Sequence, residues 1–396
     1  MITKQDLINF ESNIVDLYKD NKLPFLFHLS GGNEDQLINI FNNIKPGDYV
    51  ISSHRSHYHA LLHGIPEKEL TDKILNGRSM FVFDRSRNFF TSSIIGGTPA
   101  IAAGVAMGLK RKNSDQKVWC FVGDGTEDTG HLWEAARYVD GHDLPCQFII
   151  EDNDRSVVAT KQDRWGNATN PRFFDCVSRY SYNIPWPHAR STDMIDLSKT
   201  SVKTDDEYFP PLVPEKKLDI CEETSYNYKN AVAKAMSHIA DKNGLFLGYN
   251  VRHGDAFGAL TNIDDSLKIE TPVAENLMVG LAIGLSFEGY RPVVYFERQD
   301  FMMVAADAIV NHLNHIERIS HGEYKCPVIL RSIVADSGPF YSGPTHSQDF
   351  TEGLKKLVSF PVYEPDTASA VYNTYKQAVY SQRPSLVVER KSCYAN

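Results

Sequence analysis

The sequence predicts an α/β protein of two domains, each a mostly parallel sheet flanked by helices. Three features point there. Short β-rich apolar runs alternate with helical stretches, a strand–helix–strand spacing stands out in the first half and its style recurs in the second, and a proline-rich charged segment separates the halves. A length of 396 residues fits two or three domains at roughly 150 residues each.

In the first half, Lys117–Val122 (KVWCFV) and Cys146–Glu151 (CQFIIE) read as buried strands, and the segment around His131–Tyr138 reads as the helix between them. That is a βαβ unit, whose strands run parallel. Residues Ser156–Thr204 have weak periodicity and read as long loops with a short strand or two. Asp205–Lys217 (DDEYFPPLVPEKK) combines three prolines with charged residues and reads as a linker, giving domains at 1–204 and 218–396. In the second half, Gly244–Val251, Arg291–Glu297, Cys326–Ala335 and Pro384–Glu389 read as strands, and Asn276–Phe287 and Asp300–Ile319 as helices. The first of these helices is apolar nearly all round, which places it in a buried or interface position.

Composition narrows the function. Hydrophobic residues make up 42% and charged residues 23%, which excludes a disordered, collagen-like or coiled-coil chain. There is no apolar run of about 18 residues, the length a membrane-spanning helix needs. The amino-terminal stretch is acidic and amphipathic, unlike a secretory signal. A net charge of −9 argues against a general nucleic-acid binder but leaves a local anion site open. The six cysteines are scattered without a C-x-x-C pair, which points to reduced thiols in the cytoplasm and against a zinc ribbon.

The first chemical signal is Gly123-Asp124-Gly125, directly after a strand. Glycines there allow a tight turn and close approach of the backbone to a phosphate, with the carboxylate available to a divalent cation. A plain turn has the same composition. Asn153 adds weight: it ends the next strand, with 27 residues between it and Gly125. Adjacent strand ends would set Asp124 and Asn153 side by side as oxygen ligands for one hard cation, with Mg²⁺ keeping positions open for diphosphate oxygens.

The chain resembles the decarboxylase component of thiamine diphosphate-dependent 2-oxo acid dehydrogenases, with alpha-like and beta-like halves fused, within the transketolase superfamily. The spacing from Gly123 to Asn153 is that of the thiamine diphosphate motif. Residues 54–64 (HRSHYHALLHG) are similar to the alpha subunit's Y-R-x-H-G-H-A-L-x-R-G run, and 93–104 (SSIIGGTPAIAAG without its first serine) to its G-I-V-G-A-Q-x-P-L-A-A-G run. Thr271–Phe301 is similar to the beta subunit's T-P-I-S-E…G-x-R-P…F-x-x-F block, and Thr345–Phe350 (THSQDF) to Q-H-S-Q-x-F.

The resemblance implies two thiamine diphosphate-binding folds and a set of roles. Arg55 would contact the diphosphate, together with Gly123, Asp124, Gly125 and Thr126, and Ile95 would meet the aminopyrimidine through its backbone. Asp124, Asn153 and the main-chain oxygen of Arg155 would hold Mg²⁺. Glu275 matches the activating glutamate at the cofactor's N1′, and burial before an apolar helix is expected to raise its pKa; a charge suited to a helix N-terminus is the alternative. Phe301 would pack on the pyrimidine. His57 would lie near the reacting centre, and His346 beside the substrate. His59 and His63 have the i, i+4 spacing of a zinc pair, with a surface position as the other reading.

Departures from the family pattern bear on substrate and partners. His54 replaces Tyr, Phe81 replaces a His on the expected substrate side, Asn250 replaces a Glu, and Glu297 replaces an apolar residue expected under the cofactor. The alpha subunit's later helices and the family's C-terminal domain find no counterpart. These points favour a free-standing decarboxylase or carboligase of a specialised biosynthetic pathway, acting on a 2-oxo acid and an aldehyde, ketone or acyl acceptor. Ketol transfer from a ketose, as in transketolase, and a non-catalytic scaffold remain alternatives. The resemblance also implies a homodimer or tetramer with active sites at its interface, and no nucleic-acid or membrane partner.

Overall fold

A computed structural model describes residues 2–20, 22–23, 27–186, 204–216, 218, 220–254, 256–337 and 343–395. Lys217, at the end of the expected linker, and residues 187–203 of the expected long loops lie outside them. The chain divides into two compact units, Met1–Pro211 with Arg318–Glu323, and Leu212–Glu317 with Tyr324–Asn396.

The first unit is built on a five-stranded sheet in the order β2-β1-β3-β4-β7. Its strands are β1 (Tyr49–Ser52), β2 (Phe89–Thr91), β3 (Val118–Gly123), β4 (Cys146–Asp152) and β7 (Val177–Ser181). Every pairing is parallel. A small antiparallel hairpin of β5 (Arg155–Ser156) and β6 (Ala159–Thr160) stands apart. Helix Gly130–Gly141 connects β3 to β4, as expected of the βαβ unit. β1 and β2 escaped the sequence reading because they are short and buried at every position, so no alternation marks them.

The second unit carries a six-stranded sheet in the order β12-β13-β11-β10-β8-β9. The strands are β8 (Gly244–Gly248), β9 (Lys268–Glu270), β10 (Arg291–Phe296), β11 (Ile329–Val334), β12 (Val362–Tyr363) and β13 (Ser385–Arg390), again all parallel. Helix Glu275–Phe287 is buried along its whole length, which explains its lack of a polar face. The expected helix over 300–319 is present but irregular: an α-helical turn Gln299–Met302, a tighter turn Met303–Ala305, a π-helical Ala308–Leu313 and a last turn Ile316–Ile319, with helical backbone at Met302, Ala306 and Asp307 between them. The amide of Ala308 also donates to Asn276 Oδ1 at 3.2 Å. Among the described residues no helix is long and apolar enough to cross a membrane.

Candidate functional site

In an open parallel sheet, the carboxyl ends of the strands form the crevice that binds ligands. The first unit follows this rule. A cavity of about 280 Å³ is lined by Ser53 after β1, Ser92 after β2, Gly123–Thr126 at the end of β3, Asn153 after β4 and Tyr182 after β7. His54, Arg55, Ile95, Arg155, Val157 and Trp186 complete much of the wall. The sequence-predicted residues Arg55, Ile95, Gly123, Asp124, Gly125, Thr126, Asn153 and Arg155 therefore share one cavity.

Its geometry is set locally. Gly123 is opposite Glu151 in the parallel register of β3 and β4. A side chain at Gly123 would project into open space, whereas one at Gly125 would lie 2.6 Å from Ser156 Oγ. The hairpin thus keeps Gly125 bare, while Gly123 opens on the cavity it lines. Asp124 opens a four-residue helical turn and is buried; its Oδ2 accepts a hydrogen bond from Arg164 Nη2 at 2.9 Å. Burial, and then the neighbouring charge of Asp152, push its pKa up to about 6, against the opposing cations Arg164 and Lys161. Asn153 Oδ1 accepts from the amide of Arg155 at 3.0 Å, and its Nδ2 donates to the Tyr182 hydroxyl at 3.1 Å. The Arg155 guanidinium turns to the carbonyl of Val158. Arg55 Nη1 donates to the carbonyl of Leu29 at 2.8 Å, and burial lowers its pKa against the pull of Tyr182, Glu11 and Glu151.

This donor set fits a diphosphate and a hard cation. A buried carboxylate and a carboxamide oxygen sit at neighbouring strand ends, an arginine shares their cavity, and the space beside Gly123 is open.

The histidines are corrected. His57 does not reach the cavity. It is fully buried, with Nδ1 bonded to Glu11 Oε1 and Nε2 to Ser79 Oγ, each at 2.9 Å. Helix His57–Leu62 turns it into the core, while His54, just ahead of the helix, lines the cavity with its ring edge-on to His28. His59 is buried rather than superficial, bonded to Ser52 Oγ at 2.7 Å and Glu151 Oε1 at 3.2 Å. His63 is half-buried and donates from Nε2 to the carbonyl of Arg87. Each ring is spent on a different protein partner, so the pair forms no metal site.

The second unit gathers the other predicted residues. Glu275 is buried at the first position of its helix, close to Tyr249, which directly follows β8. Burial first, then the charges of Glu275 and Glu297, hold the Tyr249 phenol well above its ordinary pKa. Phe301 lies 6.5 Å from Tyr249 and 5.3 Å from His346 between ring centroids, the latter pair perpendicular. The loop bearing His346 is pinned by Gln299, whose amide accepts from Phe350 N at 2.5 Å and donates to Thr351 Oγ1 at 3.1 Å, and by Asp300, which accepts from Gln348.

Of the departures, Asn250 has a left-handed backbone (φ 62°) that asparagine tolerates well. Phe81 packs edge-on against Phe209. Glu297 directly follows β10, close enough to raise the pKa of Tyr249. Tyr182, Arg164 and Tyr249 were not anticipated. The first two lie in the stretch of weak periodicity, while a tyrosine immediately past a buried strand was the one available cue for Tyr249.

Residues 3–195 match the family described as dehydrogenase E1 component, and residues 224–396 match the transketolase pyrimidine-binding domain. The chain is similar to the alpha subunit of acetoin:2,6-dichlorophenolindophenol oxidoreductase from Bacillus subtilis (strain 168), 27% identical over 158 residues, or 37% of this chain and 47% of the relative. It is also similar to the pyruvate dehydrogenase E1 component subunit alpha of Rickettsia prowazekii (strain Madrid E), 29% identical over 161 residues, 38% of this chain and 49% of the relative. With the mitochondrial E1 subunit beta of Saccharomyces cerevisiae it shares 27% identity over 173 residues, 42% of this chain and 47% of the relative. The chain spans about half the length of the curated relatives it matches. Transketolase from Campylobacter jejuni subsp. jejuni NCTC 11168 shares the fold, with a TM-score of 0.62 and 13% identity over 96% of this chain and 78% of that one.

Proposed function

Since the chain is a fused thiamine diphosphate-dependent E1-like protein of the transketolase superfamily, its alpha-like half preceding its pyrimidine-binding half, we propose that it decarboxylates a 2-oxo acid and passes the remaining acyl or two-carbon unit to an acceptor. On this reading residues 1–204 bind the diphosphate and 218–396 the pyrimidine. The observation that supports it most is the cavity that joins Arg55, Asp124 and Asn153 at neighbouring strand ends.

The cofactor, when bound, supplies an electron sink for the carbanion left as CO₂ departs. The chain's own residues do the rest. Arg55 would pair with the diphosphate. Asp124, Asn153 and the Arg155 carbonyl would supply oxygens to Mg²⁺. Glu275 would share a proton with N1′ of the aminopyrimidine, Tyr249 would stand beside that carboxylate, and Phe301 would cover the ring. His346 binds the substrate carboxylate or moves a proton beside it. His54, facing the cavity, takes the place first given to His57. The working form is a homodimer or tetramer in the cytoplasm, and the pathway is a biosynthetic one.

Calorimetry with thiamine diphosphate and Mg²⁺, followed by assay of CO₂ release from pyruvate and related 2-oxo acids, tests the proposal. Binding with CO₂ release supports it. Binding with aldehyde-dependent ketol exchange and no CO₂ would replace decarboxylation by a transketolase-like reaction. Absence of binding would leave only a non-catalytic role.

A further inference from the structure

Behind the Asp124 turn lies a cluster of ion pairs that the proposed chemistry does not use. The short helix Lys161–Trp165 follows the β5–β6 hairpin, and its start is fixed by a capping box between Thr160 and Asp163. Three of its side chains reach acids at the end of β4 and in the turn that follows β3. Arg164 is the centre: Nη2 donates to Asp124 Oδ2 at 2.9 Å, and Nη1 donates to Asp128 Oδ2 at 2.8 Å. Trp165 Nε1 donates to the other oxygen of Asp128 at 2.7 Å. Lys161 Nζ donates to Asp152 Oδ2 at 2.5 Å, an oxygen that Arg179 Nη1 also reaches at 2.9 Å.

Arg164 is absent from the cavity wall, whereas Asp124 is part of it. Its guanidinium therefore acts on the cavity only through that carboxylate. The pair is well shielded, with side-chain exposures of 13% for Arg164 and 1% for Asp124. One guanidinium spans two acids of the same turn, so rotating the Asp124 side chain would break a charge-assisted bond in a water-poor site. A carboxylate has two oxygens, and fixing one leaves the other as the atom that can turn toward a ligand. Outer partners of this kind orient ligating carboxylates in metal sites generally.

We propose that Arg164 is a positioning residue for the cation site, holding one oxygen of Asp124 so that the other is presented to a divalent cation bound with the diphosphate. This rests on the reading of Asp124 as a cation ligand given above.

The test titrates Mn²⁺ into the full chain in the presence of thiamine diphosphate, reading free Mn²⁺ by electron paramagnetic resonance, for wild type, Arg164→Gln and Arg164→Lys. Thermal unfolding of each apoprotein is recorded beside it. Arg164→Gln is expected to weaken Mn²⁺ binding by about 10- to 100-fold. Arg164→Lys keeps one charge-assisted bond but not the bridge, and is expected to recover part of that loss. Should Arg164→Gln fail to fold, the Lys variant still reports: weaker binding than wild type supports the proposal. Wild-type affinity in whichever variants fold, even with a lowered melting temperature, would make Arg164 purely structural and overturn it. A wild-type chain that binds no Mn²⁺ with thiamine diphosphate would instead defeat the reading of Asp124 itself.

Discussion

Gly123 and Glu151 are paired across β3 and β4, so the residues that follow, Asp124 and Asn153, leave two adjacent parallel strands on the same rim of the cavity. Their separation in sequence is the length of the intervening helix and its connections. Substituting Asp124 by Ala should therefore remove the proposed oxygen ligand without moving Asn153. Cation-dependent binding of thiamine diphosphate is expected to fall at least tenfold by calorimetry; an unchanged affinity would refute the assignment.

Glu275 lies in the other unit, buried at a helix start beside Tyr249. Glu275→Gln keeps the shape and removes the acid. The variant should still bind the cofactor, but exchange of its C2 proton, followed by NMR in deuterium oxide, should slow by about 100-fold or more. Near-normal exchange would mean that the activating acid lies elsewhere.

The burial of His57 separates two histidines that are neighbours in sequence. Replacing His57 by Ala strips partners from Glu11 and Ser79, and should cost about 1–3 kcal/mol in urea unfolding. Cofactor affinity should stay within a few-fold of wild type. Replacing His54 by Ala should do the reverse. If His57→Ala alone abolished cofactor binding in folded protein, the division of roles would be wrong.

His63 gives a pH dependence. Its burial lowers the pKa from 6.5, outweighing the bond to the Arg87 carbonyl. The unfolded chain then takes up the proton more readily than the folded one, so this residue's contribution to stability is present above pH 6.5 and is lost as pH falls. The stability advantage of wild type over His63→Gln should shrink between pH 7.5 and pH 5. An advantage that is constant or grows toward acid would contradict it.

Arg331 and Glu389 form a buried bidentate pair on neighbouring strands of the second sheet, with the hydroxyls of Tyr375 and Tyr394 also donating to Glu389. Arg331→Leu leaves the carboxylate buried without its counter-ion and should destabilise the unit by about 3–5 kcal/mol. Adding Glu389→Leu should recover part of that loss. A double variant less stable than the single one would show that the pair contributes more than its own desolvation cost.

Much of the fold was legible because its signals are local. The runs KVWCFV and CQFIIE are β-rich and bounded, and the structure places strands on both. The all-apolar stretch 276–287 had to be buried, and it is. The segment 300–319 is helical as its apolar spacing predicts, but its change from α to π winding is not marked in that spacing.

By itself the sequence determined two parallel α/β halves and the placement of Asp124 and Asn153 at the ends of neighbouring strands. Both follow from short-range pattern: a strand, a turn made of glycines, a helix, and a second strand that can only return alongside the first. Tertiary structure alone decided that His54 faces the cavity while His57 is locked against Glu11 and Ser79, and that Arg164 grips Asp124. Each of those depends on partners brought together by packing rather than by spacing. A buried polar group must find its hydrogen bonds wherever the surrounding elements supply them, and no local pattern records where that is.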